Sequence, residues 1–177
     1  MSALATLASD MRGCRACFLA DRRTQAVTWR GTAQPGVVLF IGEAPGAEED
    51  RAGVPFVGAA GRLLQEWIEG PLGLAADEYL LANAVACYPH DPAGRPVPPP
   101  LHCADACSPF LARLIAEVRP NPIVALGRHA ERSLERLGIT DFVFCYHPSY
   151  YLRGGHGMEE DVQELAVAVR RARGGVA

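Results

Sequence analysis

Three residues of this sequence combine a chemistry with a place to perform it. His147 opens His147-Pro148-Ser149 directly after an apolar run. A proline there stiffens the turn, which suits an acid or electrostatic role better than a packed ring. Asn83 interrupts the apolar stretch Leu80-Leu81-Ala82-Asn83-Ala84-Val85. A buried amide is costly unless paired, so it has a backbone partner or a ligand, and generic packing favours the structural partner. Its donor-plus-acceptor face also suits the edge of a pyrimidine. The third is Phe56, bracketed by Gly53, Gly58 and Gly61 in the long loop after Gly42-Glu43-Ala44-Pro45-Gly46. Such a loop can hold the ring as a platform for a flat ligand, although composition alone favours a ring packed in the core. The loop lacks the dinucleotide spacing and the Gly-Lys-Ser/Thr of a P-loop. His90, His102, His129 and His156 have no comparable context.

Cysteines raise a second chemistry. They stand at 14, 17, 87, 103, 107 and 145. An even count suggests disulfides in a small secreted protein, but nothing here suggests secretion. In a reducing compartment, Cys14-x-x-Cys17 with cysteines downstream points to metal. The alternative is buried free thiols, which suits Cys145 within Phe142-Val143-Phe144-Cys145-Tyr146. It suits the arginine-flanked Cys14 and Cys17 poorly.

These residues need elements to position them. Four apolar runs, Val37–Ile41, Tyr79–Val85, Ile123–Leu126 and Phe142–Tyr146, read as strands. Their continuous apolarity predicts burial on both faces, as in a parallel sheet. Helical spacing appears in Leu63, Leu64, Trp67 and Ile68, in Leu111, Leu114, Ile115 and Val118, in Leu134 and Leu137, and in Val162, Leu165, Ala166 and Val169. A further helix carries Leu4, Leu7 and Met11 before the first cysteine pair. The alternation predicts an α/β fold, three α/β/α layers around a four-stranded, mainly parallel sheet, in a single domain over 1–177. Pro89 to Pro100 holds six prolines and reads as a loop. In such folds ligands bind beyond the carboxyl ends of the strands, where Glu43, Asn83, Gly127-Arg128-His129 and His147 all fall.

Composition narrows the class. With 49% apolar and 21% charged residues in 177, the chain reads as one soluble globular domain. No run suits a membrane span or a secretory signal, so the cytoplasm is expected. All 17 basic residues are arginine, and the net charge of −3 argues against a protein that coats nucleic acid generally. Residues 1–35 carry five Arg against two Asp, whereas 41–80 carry eight carboxylates against two Arg. Any DNA contact is therefore local.

The motifs together carry a resemblance. Gly42-Glu43-Ala44-Pro45-Gly46, with Glu49-Asp50, Gly53-Val54-Pro55-Phe56-Val57-Gly58, Ala60-Gly61 and Leu63-Leu64, resembles the first motif of the family 4 uracil-DNA glycosylases, the iron–sulfur type. Asn83-Ala84-Val85-Ala86-Cys87 is similar to that family's Asn-x-Val-Lys-Cys strand end. His147-Pro148-Ser149-Tyr150-Tyr151-Leu152-Arg153 resembles its second motif, and Cys14-x-x-Cys17 its first cluster pair. The resemblance implies a glycosylase-like α/β/α fold and hydrolysis of the N-glycosidic bond of uracil in DNA. It implies Glu43 and His147 as catalytic residues. Gly42, Phe56, Asn83, Ser149, Leu152 and Arg153 would bind the substrate. A wedge from Tyr150, Tyr151 or Leu152 would fill the gap left by the extruded base. A 4Fe-4S cluster is implied on Cys14, Cys17, Cys87 and Cys107. Cys103 competes for the fourth place: the family's spacing of sixteen residues points to it, whereas its Cys-x-Pro-aromatic-Leu pattern points to Cys107. The expected partner is uracil-containing DNA, single- or double-stranded, met by a monomer with no membrane contact.

The chain also departs from the family pattern. Ala86-Cys87-Tyr88-Pro89-His90 replaces Lys-Cys-Arg-Pro-Pro, two basic residues fewer near the DNA path. The interval from Gly127 to His147 is too short for the family's arginine-glycine hairpin. Gly94-Arg95-Pro96 does not resemble the loop of relatives that trap DNA covalently. A non-catalytic iron–sulfur relative that binds nucleic acid, or a glycosylase for hypoxanthine or xanthine, are the alternatives.

Overall fold

The structure, a computed structural model, describes residues 2–174. Its sheet has five strands: β1 (Trp29–Gly31), β2 (Val38–Gly42), β3 (Tyr79–Asn83), β4 (Ile123–Leu126) and β5 (Val143–Cys145), in the order β1-β3-β2-β4-β5. Four are parallel, and β1 pairs with β3 antiparallel. The sequence predicts four strands and misses β1. Trp29-Arg30-Gly31 is a three-residue edge strand with no apolar run to mark it. The second strand stops at Asn83 rather than Val85, which leaves the amide at a strand end instead of inside a ladder. Val143 and Phe144 are only half-buried, because β5 is the other edge of the sheet.

The strands divide their side chains between two cores, as their period of two requires. Leu39, Ile41 and Leu80 face Leu111, Leu114 and Leu134. Those belong to helices α4 (Leu101–Val118) and α5 (Arg128–Arg136), with α1 (Ala3–Gly13) packed on α4. Val38, Phe40 and Leu81 face Leu64, Ile68, Val162 and Leu165. Those lie on α3 (Ala59–Glu69) and α7 (Met158–Ala172). Two short helices, α2 (Ala47–Ala52) and α6 (Pro148–Leu152), sit at the carboxyl ends of the strands. Pro109 falls inside α4 and has no N–H for the Asp105 carbonyl. The Ser108 hydroxyl donates to that carbonyl instead, at 2.8 Å, so the helix continues. Strand β2 lies between β3 and β4, which the chain enters in succession on opposite sides. A crevice therefore opens at its carboxyl end.

Candidate active site

That crevice is a cleft of about 740 Å³. Glu43, Phe56, Asn83, His147, Ser149 and Arg153 all line it. Gly42 stands outside the lining, against Asn83 and Phe56: a Cβ there would lie 2.5 Å from Asn83 Oδ1 and 2.7 Å from Phe56 Cζ. Only a residue without a side chain lets the amide and the ring approach each other over β2. Phe56 has a left-handed backbone (φ 57°), rare for an aromatic residue. Its main chain also rests on Gly61, where a Cβ would come within 1.9 Å of the Phe56 carbonyl oxygen. Glu49 secures the same loop: its carboxylate accepts from the N–H groups of Gly46 (3.1 Å), Val57 (3.0 Å) and Gly58 (2.8 Å). The ring is buried, and its centroid lies 6.2 Å from that of His147 with planes 27° apart.

Among the described residues no group pairs with the Asn83 amide. No fully buried polar side-chain atom lacks a partner either, so this amide is open to the cleft. His147 caps α6, with its Nδ1 accepting from the Ser149 N–H at 3.2 Å and lying 2.8 Å from the Ser149 hydroxyl. An Nδ1 that accepts leaves the proton of the neutral ring on Nε2. Burial, aided by the charge of Arg153 and opposed by that of Glu49, pulls the His147 pKa down to about 4. At neutral pH the ring is therefore an uncharged donor. Burial raises the pKa of Glu43, while His129 and Arg153 oppose that rise. Leu152 stands 53% exposed, outside the cleft lining. The Ser149 N–H is committed to His147 rather than turned outward.

The cysteines converge elsewhere. Cys14 and Cys17 flank the turn after α1, Cys87 follows β3, and Cys103 and Cys107 lie on the buried face of α4. The helix already begins at Leu101, so the last two share one side. All six cysteines are free. Cys103 and Cys107 lie close to Cys17 and Cys87. Burial drives the thiols of Cys103 and Cys107 up to about 12. Arg23 ties the cluster together, donating to Cys87 Sγ (3.0 Å) and to the carbonyls of Arg12 (2.8 Å) and Cys14 (2.9 Å). Among the described residues, no three His, Cys, Asp or Glu side chains stand in a metal-holding arrangement.

The model of the uracil DNA glycosylase superfamily matches residues 31–169. The chain belongs to the uracil DNA glycosylase superfamily. It is 41% identical over 135 residues to the type-4 uracil-DNA glycosylase of Sulfurisphaera tokodaii, covering 75% of this chain and 58% of that protein. It is 42% identical over 133 residues to that of Saccharolobus solfataricus, covering 73% and 58%. For the type-4 enzyme of Thermotoga maritima the figures are 36% over 159 residues, covering 81% and 80%. The chain thus spans under two thirds of the length of the first two of these relatives.

Three parts of this glycosylase-superfamily site escape a reading of the sequence. Glu49 stands within the quoted motif, but its work on the Phe56 loop shows only as hydrogen bonds. His129, which the sequence leaves without a role, comes within 3.7 Å of the Glu43 carboxylate. The proline-rich loop supplies a wall of the superfamily cleft through Tyr88, Pro89, Pro96, Val97 and Pro98. Its fold depends on Asp91, whose carboxylate accepts from the N–H groups of Ala93 and Arg95 at 2.9 Å each. An Asx turn of that kind has a sequence signal in Asp91-Pro92-Ala93-Gly94, which could have located it.

Proposed function

We propose that this chain is a DNA glycosylase that hydrolyses the N-glycosidic bond of uracil in DNA and so opens its repair. The observation that carries the reading is the unpartnered Asn83 amide beside Phe56. An extruded uracil would stack on Phe56 and present O4 and N3–H to Asn83, whose Nδ2–H donates and whose Oδ1 accepts. Cytosine inverts that pattern and leaves polar groups unpaired. His147, neutral and protonated on Nε2, would donate to O2. As the C1′–N1 bond breaks, its electron pair passes into the base. Uracil then leaves as an anion held by that hydrogen bond rather than by an ion pair. Water adds to the oxocarbenium-like C1′ with Glu43 orienting it, and the proton it loses passes to solvent, from which the uracil anion is neutralised. No covalent intermediate forms. Arg153 at the rim would meet a phosphate.

The cysteine cluster supports a 4Fe-4S site on Cys14, Cys17, Cys87 and Cys107, with Cys103 as the alternative fourth ligand. Several unpaired thiols from three segments make the donor set that such a group takes. When bound, the cluster would tie the N-terminal segment to β3 and α4 and supply no chemistry to the cleft. Six free thiols support a cytoplasmic protein. We take it to be a monomer of one domain acting on uracil-containing DNA.

The test is uracil release from a labelled oligonucleotide with one uracil, single-stranded or opposite guanine, using anaerobically purified protein. Release in either context is expected. DNA binding with retained cluster colour and no release would favour a non-catalytic relative, and release of hypoxanthine or xanthine alone another substrate. Asn83→Asp should erode selectivity against cytosine. Replacing Cys107 should bleach the cluster, and bleaching on loss of Cys103 instead would move the fourth ligand.

A further inference from the structure

A pair of aromatic rings at the mouth of the cleft has no part in the chemistry above. Tyr146 and Tyr150 stack with centroids 4.8 Å apart and planes 25° apart, and each is 39% exposed. Both line the cleft. They flank His147 in the chain, one directly after β5 and the other within α6, so their stack adjoins the slot of Phe56 and His147. The pair is held rather than loose. Tyr150 lies against Gly155, where a Cβ would come within 2.3 Å of its ring. The Gly155 N–H also donates to the Tyr150 carbonyl at 3.0 Å. Tyr146 meets Phe144 edge-on at 5.3 Å, and the Arg128 guanidinium lies over the Phe144 ring at 4.4 Å. Two aromatic rings partly exposed at a cleft rim, held at low cost in side-chain entropy, suit a flat partner.

We infer that the Tyr146–Tyr150 stack is a subsite for the unpaired nucleobase next to the one in the cleft. The inference rests on the proposed function for the identity of the ligand, a single DNA strand. Stacking on an exposed aromatic ring is tolerant of sequence, and it requires the neighbouring base to be unpaired. The subsite therefore favours single-stranded or locally opened DNA.

The test compares two labelled single strands, both with a base-free sugar at the target position. One carries bases on either side of it and the other carries base-free sugars there, with all phosphates kept. Wild-type protein should bind the first more tightly by on the order of tenfold. Tyr150→Ala should bind both strands with the weaker affinity, and Tyr150→Phe should restore the difference. Equal binding of the two strands by wild-type protein would overturn the subsite. So would a Tyr150→Ala loss of the same size on both strands, since that marks a structural role. Uracil release by the wild type is measured separately. Its absence would remove the glycosylase reading and leave the flanking-base comparison readable.

Discussion

The cleft and the cysteine cluster share a chain but are organised on opposite principles. In the cleft, each reactive side chain is set by backbone groups close to it in sequence or in register. The Ser149 N–H fixes His147, Gly42 gives room to Asn83 and Phe56, and three loop N–H groups converge on Glu49. The geometry is complete without any added group. In the cluster, five thiols come from three distant segments, and one arginine joins the N-terminal turn to Cys87 without reaching α4. The cleft is pre-organised by the fold, whereas the cluster is brought together but not closed by it.

On that contrast, the deepest cut falls on His147, the neutral donor proposed to face uracil O2. His147→Ala should slow single-turnover uracil release by on the order of 10²–10³ while DNA binding changes little. A variant that lost binding and kept its rate would reassign His147 to docking. The same residue should leave a mark on stability. Its pKa falls from 6.5 in the unfolded chain to about 4 in the folded protein, so the unfolded state binds the proton first. The stabilisation is complete above pH 6.5 and is lost as pH falls through about 4. A shift of that size is worth about 3 kcal/mol. Urea titrations across pH 4–7 on the wild type and His147→Ala should differ in slope. Parallel curves would mean the ring is not desolvated.

The two regions were unequally legible in the sequence. Four parallel strands and the residues at their carboxyl ends could be read because strands buried in a sheet leave continuous apolar runs, and topology then dictates where their ends meet. Asn83 could not be resolved as structural or ligand-facing, since only the end of β3 and the close approach to Gly42 decide it. Phe56 shows the same limit: it is packed, as composition suggests, and also lines the cleft. Edge strand β1 left no trace because three residues at a sheet margin, two half-buried and one exposed, form no apolar run. His129 reaches Glu43 from the helix after β4, a pairing that exists only in three dimensions.

Arg23 gives the smallest and most discriminating test of the contrast. Its guanidinium touches none of the cleft residues, yet it spans the N-terminal turn and Cys87 with three hydrogen bonds. Donors to a sulfur ligand and to the carbonyl beside another hold ligands in place rather than supply them. Arg23→Ala should therefore leave the cluster able to form. It should speed the loss of cluster absorbance under a chelator by about fivefold, the equivalent of about 1 kcal/mol. Wild-type bleaching kinetics in this variant would show that the thiols are closed by packing alone. The cluster would then be as pre-organised as the cleft, and the distinction between the two regions would fall.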